Sequence, residues 1–296
     1  MKKHERIKRP LCVFAALLCL TGLLAMFIHY QNNALQTSYY TVRGEGELKI
    51  LQLSDLHSKD FKGKLAEQIR AEEPDVIFLT GDIFNKAGKD DLDGHDAFLA
   101  ACTDTAPTYF VTGNHELTEK ARERNSYTEF TLTDLTYMEQ LLSSHGVIWL
   151  NNESSIFEKN GTVYNIIGLS DVIEYCPTYK TGTFYSVTSK AIREILPGLI
   201  KEDAVNILLS HRPEYFEVYS EFDIDLVFSG HAHGGQFRFF GRGLYAPGQG
   251  VLPKLTEGVH ENNGTTLVIS RGLGPSRFPL RLFNRPEIVS VTVTAK

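Results

Sequence analysis

Short apolar runs alternate with amphipathic stretches over most of the chain. The run "ELKILQLSD" ends in polar residues, which predicts a strand followed by a loop. The stretch "FKGKLAEQIRAEEP" has helical spacing and is stopped by proline. The next run, "DVIFLTGD", is almost continuously apolar, as is typical of a strand buried on both faces of a parallel sheet. The folded body therefore opens as β-α-β.

The same alternation continues to the end of the chain. Helices are predicted near residues 93–103, 132–144 and 186–196, and the further predicted strands are "TYFVTGNHE", "GVIWL", "VYNIIGLSD", "AVNILLSHR", "DIDLVFSGHAH", "TTLVISRG" and "EIVSVTVT". Helices separate the earlier strands, which indicates an α/β domain. The later strands lie closer together, and we expect them to pair antiparallel.

An uncharged apolar segment at residues 11–28 follows the basic stretch "MKKHERIKR". About 18 apolar residues are near the lower limit for crossing a membrane, and the basic flank predicts a cytoplasmic N-terminus with the rest outside. A signal peptide, released by cleavage, is the alternative, but the A-x-A-like site such a peptide carries is missing after Phe27. We expect a cytoplasmic tail (1–10), a transmembrane signal anchor (11–28), a polar linker (29–45) and one domain (46–296).

Charge and cysteine content narrow the function classes. The net charge is −6, and without residues 1–9 the chain carries 25 basic and 35 acidic side chains, which argues against a nucleic-acid-binding surface. Cys12 and Cys19 lie in the apolar segment, while Cys102 and Cys176 lie in the body without metal-ligand spacing. The sequence leaves open whether the last two pair. A metal site here would have to use His, Asp and Asn.

Polar residues cluster where the predicted strands end. One such residue alone is ordinary, because helix caps and turns use the same residue types. Together, however, they place five of the ten histidines beside carboxylates and an amide, at the strand ends where α/β sheets assemble ligand sites. The residues are Asp55, His57, Asp82, Asn114, His115, His211, His231 and His233.

The order D-x-H, G-D, G-N-H-E, H, G-H-x-H resembles that of the calcineurin-like metallophosphoesterase family. The resemblance runs from about Ile50 to the end of the chain and is greatest to the bacterial membrane-anchored branch with "SDLH", "TGD", "GNHE" and "GHTHGGQ". Here Ala232 replaces the threonine of the last motif, at a position that is not a ligand in the family. The resemblance implies a four-layer αββα sandwich of the metallo-dependent phosphatase type, after one transmembrane helix.

The resemblance also implies a site for two divalent metal ions. Asp82 would bridge them, which suits a carboxylate because its two oxygens can span cations about 3.5–4 Å apart. Nitrogen and oxygen ligands without thiolate suit Mn, Zn or Fe. The implied ligands are Asp55, His57 and His233 for one ion and Asn114, His211 and His231 for the other.

The family chemistry assigns roles to three further residues. A hydroxide bridging the metals would attack the phosphorus, and His115 would stabilise the transition state and protonate the leaving oxygen. Glu116 would either orient His115 or be a solvated carboxylate in a first helical turn. Arg271, in an "RG-G" element, would contact substrate phosphate, with a plain surface segment as the alternative.

These inferences predict a metal-dependent phosphoesterase that hydrolyses a phosphodiester or related phosphate ester. The anchor suggests a membrane-associated, lipid-linked substrate, which is a hypothesis from location alone. The alternative is a catalytically weak metal-binding scaffold of the same fold. Residues 119–136 and the stretch "IEYCPTYKTGTFY" are candidates for the walls of the substrate-binding pocket, with loops of no special function as the alternative.

Overall fold

The structure is a computed structural model of the chain. It describes residues 2–124, 127–174, 178–180, 183–276 and 278–295. Side chains are described for the same residues except 2–12, 119–124, 127–131, 173 and 178–180.

Six strands form the first sheet. In spatial order they are β1 (Gln36–Gly44), β19 (Glu287–Ala295), β2 (Leu48–Leu53), β3 (Val76–Thr80), β4 (Thr108–Val111) and β7 (Ile148–Trp149). β2, β3, β4 and β7 run parallel, while β19 runs antiparallel to β2 and parallel to β1. All five residues of β3 are buried, so its continuous apolar run reflects burial on both faces, as predicted.

Six further strands form the second sheet. In spatial order they are β17 (Gly258–Asn262), β18 (Thr265–Ile269), β12 (Leu226–Ser229), β11 (Val205–Leu209), β9 (Thr162–Gly168) and β8 (Glu153–Lys159). The four central strands are parallel, and the two outer strands are antiparallel to their neighbours. The expected antiparallel pairing holds for β19 with β2 but is wrong for β12 with β18. The long excursion between those two strands lets the chain re-enter the sheet in the same direction.

Helices cover the outer face of each sheet. The α-helices are α1 (Lys2–Asn33), α2 (Lys64–Glu72), α3 (Lys89–Leu92), α4 (Asp96–Thr103), α5 (Asn114–Leu117), α6 (Thr136–Ser144), α7 (Phe184–Ile195) and α8 (Phe216–Tyr219). One apolar core lies between the two sheets, a second between the first sheet and α2, α4 and α6, and a third between the second sheet and α7 and α8. The fold is thus the expected four-layer αββα sandwich.

Short elements decorate this sandwich. β5 (Thr118–Arg124), β6 (Tyr127–Leu132) and β10 (Thr178–Lys180) form a small sheet where substrate walls or loops were expected. Two hairpins follow β12, namely β13 (Arg238–Phe239) with β14 (Arg242–Gly243) and β15 (Tyr245–Ala246) with β16 (Gly250–Val251). 3₁₀-helices lie at Val172–Glu174, Leu196–Gly198, Pro213–Tyr215 and His233–Gly235. The Cys102 thiol is free and buried, while Cys176 lies outside the described residues.

The N-terminal region contains one long helix and, within the expected linker, a strand. The helix α1 is continuous from residue 2 to 33, and its part Val13–Asn33 is long and apolar enough to cross a membrane, with a mean hydropathy of 2.1. A signal sequence near the N-terminus can meet the same criteria of length and composition. The expected linker at 29–45 contains β1, which pairs along its whole length with β19. Its partner lies at the other end of the chain, so local pattern gave no sign of the pairing.

Candidate metal centre

Loops after five strands bring the predicted ligands together at one edge of the sandwich. The first ligand group consists of Asp55, His57 and His233, which lie beside Asp82. The His233 Nε2 atom lies 3.2 Å from His57 Nε2 and 3.3 Å from Asp55 Oδ1. The His57 Nε2 atom lies 3.8 Å from Asp82 Oδ2. All four side chains are buried and direct a potential ligand atom at one point.

The second ligand group consists of His211 and His231, which also lie beside Asp82, together with Asn114, which is assigned to this group from the sequence. The His211 Nε2 atom lies 3.1 Å from Asp82 Oδ2 and 3.2 Å from His231 Nδ1. Asn114 Oδ1 is buried without a hydrogen-bond partner among the described residues. Asp82 is the residue that the two groups share, as expected of a bridging carboxylate.

The backbone of these loops is held in an unfavourable conformation. Five of the seven predicted ligands have positive φ, between 47° and 62°, namely Asp55, His57, Asp82, His231 and His233. Non-glycine residues rarely adopt this region, and such strain clusters at functional sites. At Gly230 a Cβ atom would collide with Ser54 and Asp55, which brings the loop of His231 against the end of β2. The fold thus accepts local strain to bring these side chains together.

The charge balance of the site fits bound cations. Burial lowers the pKa of His57 to about 4, so its ring stays neutral and keeps a lone pair for a metal. Burial opposes a charge on His211, but the carboxylates of Asp82 and Asp55 outweigh it and raise the pKa to about 10. The buried carboxylates thus demand a positive charge between them, which a proton on His211 supplies when no metal is present. Neutral imidazoles, carboxylates and the unpartnered Asn114 oxygen form a donor set suited to divalent transition metals.

His115 lies at the mouth of the site. It is partly exposed, its ring packs edge-on against His57 at 4.6 Å between centroids, and its backbone N–H donates to Asp82 Oδ1 over 2.8 Å. The side chain therefore borders the first ligand group without belonging to either group of ligand atoms. This placement suits the predicted contact with substrate.

Glu116 plays neither of the two roles considered from the sequence. Its carboxylate is fully buried and accepts hydrogen bonds from the backbone N–H groups of Asp82 (3.0 Å), Phe84 (3.0 Å) and Gly113 (2.8 Å). The two roles predicted for Glu116, a solvated carboxylate and a residue that orients the His115 ring, were therefore both wrong. Glu116 instead ties the loop after β3 to the loop after β4, which fixes the position of Asp82.

Arg271 is not among the clustered ligands. Its guanidinium lies 2.9 Å from Glu287 and 3.5 Å from Glu257, so both sides of the group face carboxylates. The backbone beside it does reach the site, because a Cβ atom on Gly272 would lie 2.7 Å from Asp55 Cβ. Its contact with substrate phosphate stays a prediction, and these ion pairs give the side chain a structural role.

A buried ion-pair network behind His231 was missed in the sequence. Arg212 donates to Asp171 over 2.7 and 3.1 Å, and its Nη1 lies 3.0 Å from His231 Nε2 and 3.4 Å from Glu214 Oε1. Glu214 Oε2 is buried without a hydrogen-bond partner among the described residues. The available signal was the stretch "SHRPE", in which charged residues directly follow a candidate ligand.

Fold and site together define an α/β protein of the metallophosphoesterase type. A profile of calcineurin-like phosphoesterases matches residues 48–235, which is more than half of the chain. The chain therefore belongs to the calcineurin-like phosphoesterase family, and it is an enzyme that hydrolyses phosphate esters. This confirms the resemblance found in the motifs and the prediction of a hydrolase.

Relatives of similar length are found among bacterial proteins. The uncharacterized protein YpbG of Bacillus subtilis (strain 168) is 30% identical, over 99% of this chain and 98% of its own. The uncharacterized metallophosphoesterase YkuE of the same organism is 24% identical, over 90% of this chain and 87% of its own. Among solved structures, Haemophilus influenzae NAD nucleotidase is similar with a TM-score of 0.44 and 19% identity, covering 77% of this chain and 45% of that one.

Proposed function

We propose that this protein is a dinuclear metal-dependent phosphoesterase acting on a phosphodiester or related phosphate ester. The observation that carries the proposal is the pair of ligand groups that share Asp82. A carboxylate common to two groups of histidines matches the need of a two-metal site, in which one anion holds both cations at a fixed separation. A site for one metal would not need the second group of buried histidines.

The side chains around the site would have distinct tasks. When bound, two divalent cations, with Mn, Zn or Fe preferred for these ligands, supply an activated water and neutralise charge on the phosphate. Asp55, His57 and His233 would hold one cation, and Asn114, His211 and His231 the other. His115, on the open side, would donate a hydrogen bond to the phosphate and a proton to the leaving oxygen.

The helix α1 supports a location at the cell membrane. The described side chains from Val13 to Phe27 are all exposed, and of these only Phe27, through its contact with Phe283, has a ring partner among the described residues. A lipid bilayer would cover this apolar surface. We infer a single-pass protein with a cytoplasmic N-terminus and an extracytoplasmic catalytic domain, whose substrates include lipid-linked phosphate esters. Secretion after signal cleavage is the competing arrangement.

Hydrolysis of bis-p-nitrophenyl phosphate by the full chain tests the enzymatic proposal. The chain is stripped with a chelator and reloaded with Mn or Zn, and metal content is measured beside turnover. We expect two metals per chain and turnover that depends on them. Two bound metals without turnover on any phosphomonoester or phosphodiester would favour the scaffold alternative, and one metal at saturation would contradict the dinuclear site.

A substrate comparison tests the location. The full chain in detergent-free vesicles is offered a lipid-linked and a soluble phosphodiester, and we expect a higher kcat/KM for the lipid-linked one. Equal values would remove the argument for a membrane substrate and leave the metal chemistry untouched.

A further inference from the structure

Five exposed phenylalanines form an aromatic patch beside the C-terminal end of α1. Each is at least 36% exposed, and Phe240, at the tip of the β13–β14 hairpin, is fully exposed. The aromatic patch consists of Phe27, Phe239, Phe240, Phe278 and Phe283. Exposed aromatic side chains gathered in this way usually mark an interaction surface.

Ring contacts join three of the five phenylalanines directly. The Phe283 ring lies 5.6 Å from the Phe27 ring and 5.8 Å from the Phe239 ring, measured between centroids. Phe278 joins through Phe237, at 5.6 Å. Residues 237 and 239 share one face because side chains alternate along a strand, and Arg238 between them is buried against Glu257. Phe237 and Phe239 therefore lie on one side of this segment, and Phe240 is exposed at the tip of the hairpin.

The patch is fixed to the end of α1. The Arg281 backbone N–H donates to Asn32 Oδ1 over 2.8 Å, and Asn32 Nδ2 donates to the Arg281 carbonyl over 3.2 Å. Lys59 also donates to the Asn32 carbonyl. Arg285 donates to the carbonyls of residues 34 and 35, and its guanidinium lies over the Tyr30 ring. The helix therefore leaves the domain at the patch, and Phe27 belongs to both.

The patch is also connected to the metal-site loop. Asn284 Nδ2 donates to the His233 carbonyl over 2.7 Å, and Gln236 Nε2 donates to the carbonyls of Phe278 and Leu280, each over 2.7 Å. One segment, residues 278–284, thus carries two patch residues and braces the loop that holds His233. The position of the patch consequently fixes the position of the ligand loop.

We propose that the aromatic patch inserts into the lipid bilayer and seats the catalytic domain on it, so that the metal centre faces the headgroup layer. The proposal rests on the proposed function, because the bilayer reaches the patch only if α1 crosses it. We assign the bilayer to this surface because the patch is continuous with α1: Phe27 lies near the C-terminal end of the helix, and Phe283 contacts it. Tyr30 and Arg285 beside the patch suit the membrane–water interface. The substrate class is a phosphate ester whose apolar part stays in the bilayer.

Fluorescence quenching by lipid tests the insertion without using turnover. The chain has one tryptophan, so Phe240→Trp is made in a Trp149→Phe background, with Ile156→Trp as the matched control. Ile156 is 43% exposed on β8, at the edge of the second sheet. The full chains are placed in phosphatidylcholine–phosphatidylglycerol vesicles with brominated acyl chains. We expect blue-shifted emission and about twofold or stronger quenching at position 240, and little at 156.

Equal quenching at both positions would overturn the proposal, because the patch would then be no deeper in the lipid than the edge of the second sheet. A functional measurement covers the case in which a tryptophan variant fails to fold. In Phe239→Ser/Phe240→Ser, the ratio of turnover on a vesicle-embedded to a soluble phosphodiester should fall about tenfold, whereas Ile156→Ser should leave it unchanged. An unchanged ratio in the double variant would also overturn the proposal. Absence of all turnover would instead refute the proposed function, and the quenching result would stand.

Discussion

The two ligand groups share Asp82, yet the protein supports them in different ways. In the second group, His211 Nδ1 donates to the Thr80 carbonyl over 2.8 Å, which leaves Nε2, 3.1 Å from Asp82 Oδ2, to bind a metal or, without metal, to carry the proton that charges the ring. In the first group, His233 Nδ1 is buried without a hydrogen-bond partner among the described residues. Partners behind a histidine fix its tautomer and ring orientation. The second group is therefore preoriented by side-chain contacts, and the first mainly by its strained backbone.

The two groups also differ in what else they face. The first group borders His115 and the open side of the site, while His211 in the second group is completely buried. Without metal, His57 in the first group is neutral and His211 in the second is charged. From this contrast we expect the second group mainly to hold its metal in place, and the first group to lie nearer the bound substrate.

Replacing the shared carboxylate should have the largest effect. In Asp82→Asn one oxygen and the negative charge are lost from both groups, so we expect turnover to fall by at least about 1,000-fold and metal content to drop below two per chain. Metal analysis and turnover of the purified full chain give the answer. Asp96→Asn, an exposed carboxylate, is the control. A variant that keeps both metals would show that Asp82 is not a bridge.

Removing His115 should separate catalysis from metal binding. We expect His115→Ala to lower kcat by about 100- to 1,000-fold while both metals stay bound, because the ring borders the site but is not among the clustered ligand atoms. His145→Ala serves as the control. If His115→Ala lost metal, the assigned role would be wrong, and His115 would have to be counted with the first group.

Weakening the support of His231 should affect one group alone. His231 Nδ1 faces the ligand atoms, and its Nε2 accepts a hydrogen bond from Arg212 Nη1 over 3.0 Å. Glu214 supports this contact from the other side, because its Oε1 accepts from the same Nη1 over 3.4 Å. Glu214→Gln should weaken the second metal's binding by about 10- to 100-fold and leave the first unchanged. Titration of metal-free protein followed by calorimetry would measure both constants, with Glu217→Gln as the exposed control. Equal weakening at both sites would contradict the separation of the groups.

The stability of metal-free protein should depend on pH in opposite ways for the two groups. His57 has a pKa of about 4 in the folded protein, below the usual 6.5. Its contribution to the free energy of unfolding, about 3 kcal/mol, is therefore present above pH 6.5 and is lost as the pH falls to 4. His211 has a folded pKa of about 10, so its contribution is present below pH 6.5 and is lost as the pH rises to 10.

Chemical denaturation with chelator between pH 4 and 10 would measure both slopes. His57→Gln should flatten the acid side, and His211→Gln the alkaline side. The reverse assignment, or no change of slope in either variant, would refute the charge states given to the two groups.

Most of the regular fold could be predicted from the sequence, because its buried strands and amphipathic helices are locally patterned. The strands β2, β3, β4, β9 and β11 lie at the apolar runs that predicted them. The polar residues at the ends of these runs include those that cluster in the structure. The edge strands β1, β8 and β17 were missed. They are partly exposed and mixed in polarity, and their partners rather than their own patterns make them strands.

The sequence by itself determined the family, the sandwich class and the residues that gather at the candidate site, because motif order and strand ends are local features. The tertiary structure decided the environment of those residues. It placed Glu116 on backbone N–H groups and Arg271 between carboxylates, and it put Arg212 behind His231. It also joined Phe27 to Phe283 in one patch. Such contacts join residues far apart in the chain, and a charged or aromatic residue carries no local sign of its partner.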